Sequence, residues 1–233
     1  MGSGGRFHTC ISVRSGAGRV LMDCGASAMM AIRRFQVDPN EVEVIFLSHL
    51  HGDHYAGIPF FLLDARHVSK REKALTIAGP PGVRERVEAL MELLYPGSLD
   101  KNDGFPLGFL ELEAGRAVRL AEAEVLPFEV SHPSGAPSYA LRLEIEGRVV
   151  AFSGDTEWTE RLLEVARGAD LFICECSHFE PRAPFHLDYQ DLVRRRGELE
   201  CRRMILTHLG GDMLERLDSV DMECAADGMS VNL

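Results

Sequence analysis

Apolar and polar positions alternate in short runs along most of the chain, and helical spacing of apolar residues is confined to a few stretches. His8 to Val13 and Arg19 to Asp23 read as a hairpin around Ser15-Gly16-Ala17-Gly18. Glu41 to Leu47 alternates and then turns wholly apolar, as a strand covered on both faces does. Ala74 to Ala78 is a further strand, stopped by Gly79-Pro80-Pro81-Gly82, after which Val83, Val87, Leu90 and Leu94 share one helical face. Tyr95 to Gly108 is expected to be a loop. Strands resume over Ala117 to Val130, Tyr139 to Ile145 and Arg148 to Ser153. A helix over Glu157 to Arg167 should turn Leu162, Leu163 and Ala166 inward, and another is expected around Asp188 to Arg196. Leu171 to Cys176 and Met204 to Leu206 complete the set as buried strands. Strands outnumber helices and several are joined by tight turns, which predicts a mixed α/β layered domain and not a doubly wound parallel sheet. No Pro/Gly/Ser-rich linker divides the chain, so one domain over residues 1–233 is the expectation.

The composition supports a globular protein: 233 residues, 45% hydrophobic and 26% charged, with ample length for a core. No stretch approaches the 18 or so uninterrupted apolar residues of a membrane span. Residues 1–6 lack the apolar run of a signal peptide, and a cytoplasmic location is expected. Against 25 Lys+Arg stand 36 Asp+Glu, a net charge of −11. That balance disfavours a partner gripped mainly through phosphates, because such binding is driven by Lys/Arg displacing counterions. A small anion held by a metal stays compatible with it. The six cysteines form no C-x-x-C pair. Cys174 and Cys176 share one face of a strand and read as small buried hydrophobes, not ligands.

The chemistry is concentrated in Ser48-His49-Leu50-His51-Gly52-Asp53-His54. An apolar strand runs directly into four ligand-type residues, with Gly52 read as permitting a sharp turn. Packing asks for no such cluster. Imidazole is the commonest neutral metal ligand, and an adjacent carboxylate adds the charge that holds a second ion. His132, Asp155 and His208 each follow an apolar strand in turn, while His8 and His67 lack any such setting and read as ordinary polar positions.

The H-x-H-x-D-H spacing, with His132, Asp155 and His208 in that order, resembles the metallo-β-lactamase superfamily of metal-dependent hydrolases. The resemblance implies a four-layer αβ/βα sandwich with a binuclear site at its strand ends. Carried over by residue, His49, His51 and His132 would hold one ion, Asp53, His54 and His208 the other, and Asp155 both. The expected cofactors are two divalent ions, Zn first, with Mn or Fe accepting the same ligands. Two ions about 3.5–4 Å apart can activate a shared water near neutral pH and stabilise the charge of an in-line displacement. Catalytic roles fall to Asp53, besides its ligation, and to His186, the proton donor to the leaving oxygen, with His178 as competitor.

The segments Ser153-Gly154-Asp155-Thr156 and Gly79-Pro80-Pro81-Gly82 are similar to the ribonuclease Z and small-phosphodiesterase branch, although the second is a sound loop and helix start whatever the function. Ribonuclease Z carries a long basic arm, in bacterial forms between the third histidine and the bridging aspartate. Only Pro133 to Gly154 lie there, enough for a β-hairpin. The leading expectation is therefore a phosphodiesterase for a small or single-stranded phosphodiester, without extended nucleic acid or membrane as partner; a homodimer is left open. Arg194-Arg195-Arg196 and Arg202-Arg203 are the basic counter-indication, though charge runs on helices are usually a solvated face. The rival readings are a tRNA 3′-processing endoribonuclease, a carboxyl-ester, thioester or lactone hydrolase on the same metals, and, last, a metal-binding carrier.

Overall fold

The computed structural model describes residues 2–16, 18–98, 104–181 and 184–233. The chain divides into two compact units, Phe7–Glu113 and Ala114–Leu233 with Met1–Arg6.

In Phe7–Glu113 a five-stranded sheet has the order β1 (Ile11–Arg14), β2 (Arg19–Met22), β3 (Val42–Phe46), β4 (Leu75–Gly79), β5 (Leu107–Glu111). The predicted hairpin is the antiparallel β1–β2 pair, and β2 to β5 run parallel. Parallel neighbours need crossovers. These are α1 (Ala28–Arg34) between β2 and β3, α2 (Gly52–Tyr55) and α3 (Ile58–His67) between β3 and β4, and α4 (Val83–Leu94) between β4 and β5. Leu21, Ile45, Phe46, Leu47, Phe61, Leu62 and Ile77 are buried in its core. The inner face of α4 is Val83, Val87 and Met91, whereas Leu94, its last residue, is exposed. The expected loop from Tyr95 to Gly108 loses its end to β5, whose partner β4 fixes Leu107 opposite Leu75; part of that loop lies outside the described residues.

In Ala114–Leu233 a six-stranded sheet has the order β11 (Met204–Thr207), β10 (Leu171–Glu175), β9 (Arg148–Phe152), β8 (Ser138–Ile145), β7 (Ala123–Val130), β6 (Val118–Leu120). The strand-forming stretch from Ala117 to Val130 is a β6–β7 hairpin, turned at Ala121 with φ 50°. Helix α5 (Arg161–Ala166) packs on β7, β8 and β9, and α6 (Tyr189–Arg195) is capped by Asp188, whose side chain accepts from Asp191 N; the short α7 (Gly211–Leu214) follows β11. The helix expected from Glu157 starts only at Arg161: Glu157 O accepts from Thr156 Oγ1 at 2.6 Å and Arg161 N donates to Thr159 Oγ1, so the first helical bond between them is not made. Leu162, Val165, Ala166, Phe172, Leu192 and Leu206 form the core, joined by Cys174 and Cys176 as fully buried hydrophobes.

Strand direction positions the chemistry. Because β9, β10 and β11 are mutually parallel and β7 shares their direction across antiparallel β8, their C-terminal ends lie along one edge of the sheet. His132, Asp155, Glu175 and His208 stand at those ends. In the other unit Asp23 ends β2, and Ser48 and His49 follow β3, on the equivalent edge of its parallel strands. Outside the carboxyl ends of strands is where α/β sheets place their sites. Among the described residues no helix is long and apolar enough to cross a membrane.

Candidate metal centre

The H-x-H-x-D-H segment leaves β3 in extended backbone and enters α2, with His51 at its N-cap and Asp53 in its first turn. The rings of His49 and His51 lie 5.0 Å apart and those of His49 and His54 4.0 Å apart, while His54 Nε2 is 3.8 Å from Asp53 Oδ2. The sharp turn assigned to Gly52 is absent: it has helical backbone, and a Cβ there would meet only Ala56 Cβ at 3.8 Å. The glycines that this segment requires are Gly25 and Gly57. A Cβ on Gly25 would lie 2.2 Å from Asp53 O, and one on Gly57 2.1 Å from Gly25 O, so only glycine lets these chains meet.

Asp23, which the sequence reading did not single out, organises this cluster. It is wholly buried in left-handed backbone, φ 62°. Its Oδ2 accepts from His54 Nδ1 at 2.6 Å and from Ser48 Oγ at 2.8 Å, and its Oδ1 accepts from Ser48 N at 2.7 Å. Since Ser48 donates its hydroxyl proton to Asp23, it accepts from His49 Nδ1, 3.0 Å away. Both imidazoles are thereby fixed as Nδ1–H tautomers that carry the lone pair on Nε2, the arrangement outer carboxylates impose on metal-ligating histidines.

The same logic recurs in the other unit. Glu175, buried completely at the end of β10, accepts from Thr156 N at 2.7 Å, from His186 Nδ1 at 2.9 Å and from Ser177 Oγ at 3.1 Å. Ser177 in turn accepts from His208 Nδ1 at 2.9 Å. His132 Nδ1 donates to Phe185 O at 2.9 Å. Burial pushes the Glu175 carboxyl upward, against the pull of the His186 hydrogen bond. The His186 ring stacks on that of His208 at 5.6 Å and meets that of His132 at 4.9 Å. His208 Nε2 is 3.4 Å from Asp155 Oδ2, and His208 itself sits in left-handed backbone, φ 55°. Ligand atoms of His132, Asp155 and His186 lie within 4.8 Å of one another, as do those of Glu175, His186 and His208. This His/Asp set fits a divalent cation: imidazoles with Nδ1 engaged and Nε2 lone pairs available in tautomer, beside carboxylates, form a borderline N/O donor set.

His178 stands apart, its Nδ1 3.6 Å from Asp212 Oδ1 and its backbone paired with Asp188. His67 is exposed at the end of α3. Asp23, Ser48, Glu175 and Ser177 are the functional residues that reading by motif missed. The available signal was a lone carboxylate ending an apolar strand, in Val20-Leu21-Met22-Asp23 and Leu171-Phe172-Ile173-Cys174-Glu175, where a charge has no reason to be unless it holds a partner.

The chain resembles known proteins over most of its length. A model of the beta-lactamase superfamily domain matches residues 18–209. An uncharacterized protein of Mycobacterium leprae is 33% identical over 82% of the chain, which spans about two thirds (66%) of that relative. Ribonuclease Z of Bacillus velezensis is 28% identical over 85% of the chain and 81% of its own length. Among solved structures, the metallo-β-lactamase fold protein YhfI from Bacillus subtilis aligns with a TM-score of 0.78 at 19% identity, over 97% of this chain and 92% of that one. The short form of human tRNase Z aligns with a TM-score of 0.74 at 22% identity, over 97% and 93%.

Proposed function

The chain belongs to the β-lactamase superfamily, and on that premise we propose that it is a binuclear metal-dependent phosphodiesterase for small or single-stranded phosphodiesters. In this reading one catalytic domain spans residues 1–233. His49, His51 and His132 hold one ion, Asp53, His54 and His208 the second, and Asp155 serves both. When bound, the ions would lower the pKa of water and stabilise negative charge on the phosphoryl oxygens. The donor set accepts Zn, and Mn or Fe equally by type.

The chain's own groups supply the rest. Asp23 and Glu175 keep the ligand imidazoles in one tautomer. His186, held at Nδ1 by Glu175, keeps Nε2 for a proton to the departing oxygen, and the buried carboxylate favours the imidazolium that carries it. That Glu175–His186 pair is the observation that carries the proposal, because an alkoxide leaving group needs such a donor. Ribonuclease Z relatives favour a phosphoester over a carboxyl ester, thioester or lactone.

Two features bear on substrate size. Pro133 to Gly154, where a tRNA-gripping arm would be inserted, is taken up by the β8–β9 hairpin and its flanks. Four of the five arginines in the basic runs are also engaged: Arg194 and Arg195 pair with Asp191, Arg195 lies over the Trp158 ring at 4.6 Å, Arg202 pairs with Asp170 and Arg203 with Glu223. These surface pairs add little stability, but they lower the field available to a polyanion. All six cysteines are free, which suits a reducing, cytoplasmic compartment.

The test is a panel of bis-nitrophenyl phosphate, a short linear and a cyclic phosphodiester, nitrophenyl acetate, a lactone, a thioester and precursor tRNA, at low and moderate salt. Turnover of the small phosphodiesters well above all others is expected. Preferential ester, thioester or lactone turnover overturns the phosphodiesterase reading. Accurate, efficient cutting at the tRNA 3′ end would instead establish the second reading, tRNA processing, which the ribonuclease Z likeness favours.

A further inference from the structure

Glu157, two residues beyond Asp155, ties two loops together. Its Oε1 accepts from Ser131 Oγ at 2.5 Å and its Oε2 from Phe185 N at 3.4 Å, while its own N donates to Ser131 O at 3.2 Å. Thr156 reinforces the same junction: Ser131 N donates to Thr156 Oγ1 at 3.2 Å. Ser131 immediately precedes His132, and Phe185 immediately precedes His186. The circuit closes at His132, whose Nδ1 donates to Phe185 O at 2.9 Å.

Phe185 pays for this placement in backbone conformation, with φ 69° and its ring 39% exposed. A left-handed phenylalanine persists only where its surroundings over-determine it. Packing of its exposed ring supplies little of that constraint. Bonds at both Phe185 N and Phe185 O restrain it there, and the first of these ends on Glu157.

His132 differs from His49, His54 and His208 in the support of its Nδ1. His49, His54 and His208 are oriented by buried side chains at the ends of strands, whereas His132 depends on a main-chain carbonyl in a loop. We propose that Glu157 is a positioning residue: by clamping Ser131 and the Phe185 peptide, it presents the Phe185 carbonyl to His132 and fixes that imidazole as the Nδ1–H tautomer. The role of that tautomer in metal binding rests on the function proposed above; the tautomer itself does not.

The test is nitrogen-15 NMR of the histidine rings in metal-free full-length protein, with the His132 signals assigned by their loss in His132→Gln. In the parent, His132 should carry its proton on Nδ1. Glu157→Ala should convert it to a mixture with the Nε2–H form, and Glu157→Gln should restore it, because an amide can accept from Phe185 N and donate to Ser131 Oγ. Zinc affinity, read by chelator competition, should fall about 10- to 100-fold in Glu157→Ala and recover in Glu157→Gln. Ser131→Ala, which removes one strut and keeps the backbone bonds, should give the same shift in smaller measure and decides the matter if Glu157→Ala does not fold. An unchanged His132 tautomer in whichever of these variants folds overturns the inference, even if thermal stability drops. A parent with the expected tautomer and no phosphodiester turnover overturns the proposed function and leaves this inference standing.

Discussion

Asp23 Oδ2 and His54 Nδ1 meet at 2.6 Å with both side chains wholly buried, and the same carboxylate takes both donors of Ser48. One residue outside the ligand motif therefore sets the ring orientation of two histidines within it. Asp23→Ala should weaken metal binding about 10- to 100-fold, the usual effect of removing an outer-shell carboxylate. It should also lower the melting temperature of the metal-free protein, because Ser48 N and the His54 ring are left buried without their acceptor. Metal affinity equal to the parent's, measured against a competing chelator, would count against the role assigned to Asp23.

The seven proposed ligands exceed the four that a single tetrahedral ion uses, so about two transition-metal ions per chain are expected after purification without chelator. Asp155→Ala should cost turnover by several orders of magnitude with the fold retained, and His51→Ala should do the same. Elemental analysis and circular dichroism provide the check. One ion per chain at saturation, or near-parental turnover in Asp155→Ala, would rule out the shared carboxylate.

An acid-stability prediction concerns Asp170, away from these residues. Val149 N donates to its Oδ2 at 3.0 Å, and Arg202 and Arg148 reach its Oδ1 at 3.0 and 3.3 Å. The Val149 amide first, then the Arg202 guanidinium, hold its carboxyl below the usual carboxylate range. A depressed folded value means that the unfolded chain binds the proton more tightly. The stabilisation is therefore present above the unfolded value, about 4, and is lost as pH falls through the folded one. Asp170→Asn should melt below the parent at pH 7, and the gap should close in acid below about pH 4. A gap of constant size from pH 7 to pH 3 would remove Asp170 from the account.

The ligand candidates stand out in the sequence because polar chemistry follows directly on apolar strands. Val44 to Leu47 reads as a buried strand, found as β3 over Val42–Phe46, and His49 to His54 follow its end. The supports were less visible. Asp23 and Glu175 are single carboxylates whose partners lie 31 and 11 residues away, and no local period encodes that separation. Gly52 was misread for a related reason: its place in the motif suggested a turn, whereas the close approaches fall on Gly25 and Gly57, which are fixed by tertiary contact. The helix expected from Glu157 begins four residues later because the hydroxyls of Thr156 and Thr159 take the Glu157 carbonyl and the Arg161 amide, which local propensity does not register.

The remaining prediction separates His186 from His178. His186 is anchored through Nδ1 on buried Glu175 and stacks on His208, whereas His178 lies against Asp212 and joins none of the ligand-type clusters among the described residues. A proton donor matters in proportion to how poor the leaving group is. An alkoxide needs the proton, while nitrophenolate departs largely without it. His186→Ala should therefore slow an alkyl-leaving phosphodiester by about 10²- to 10⁴-fold and a nitrophenyl ester far less. Glu175→Gln should move in the same direction to a smaller extent, since an amide can still accept from Nδ1 but cannot balance an imidazolium. His178→Ala should change neither substrate. Because His186 also lies within ligand distance of Asp155 and His132, metal content is measured alongside turnover. Equal losses on both substrates, or loss of an ion in His186→Ala, would make His186 a ligand and not a donor, and a leaving-group-dependent defect in His178→Ala would transfer the role to His178.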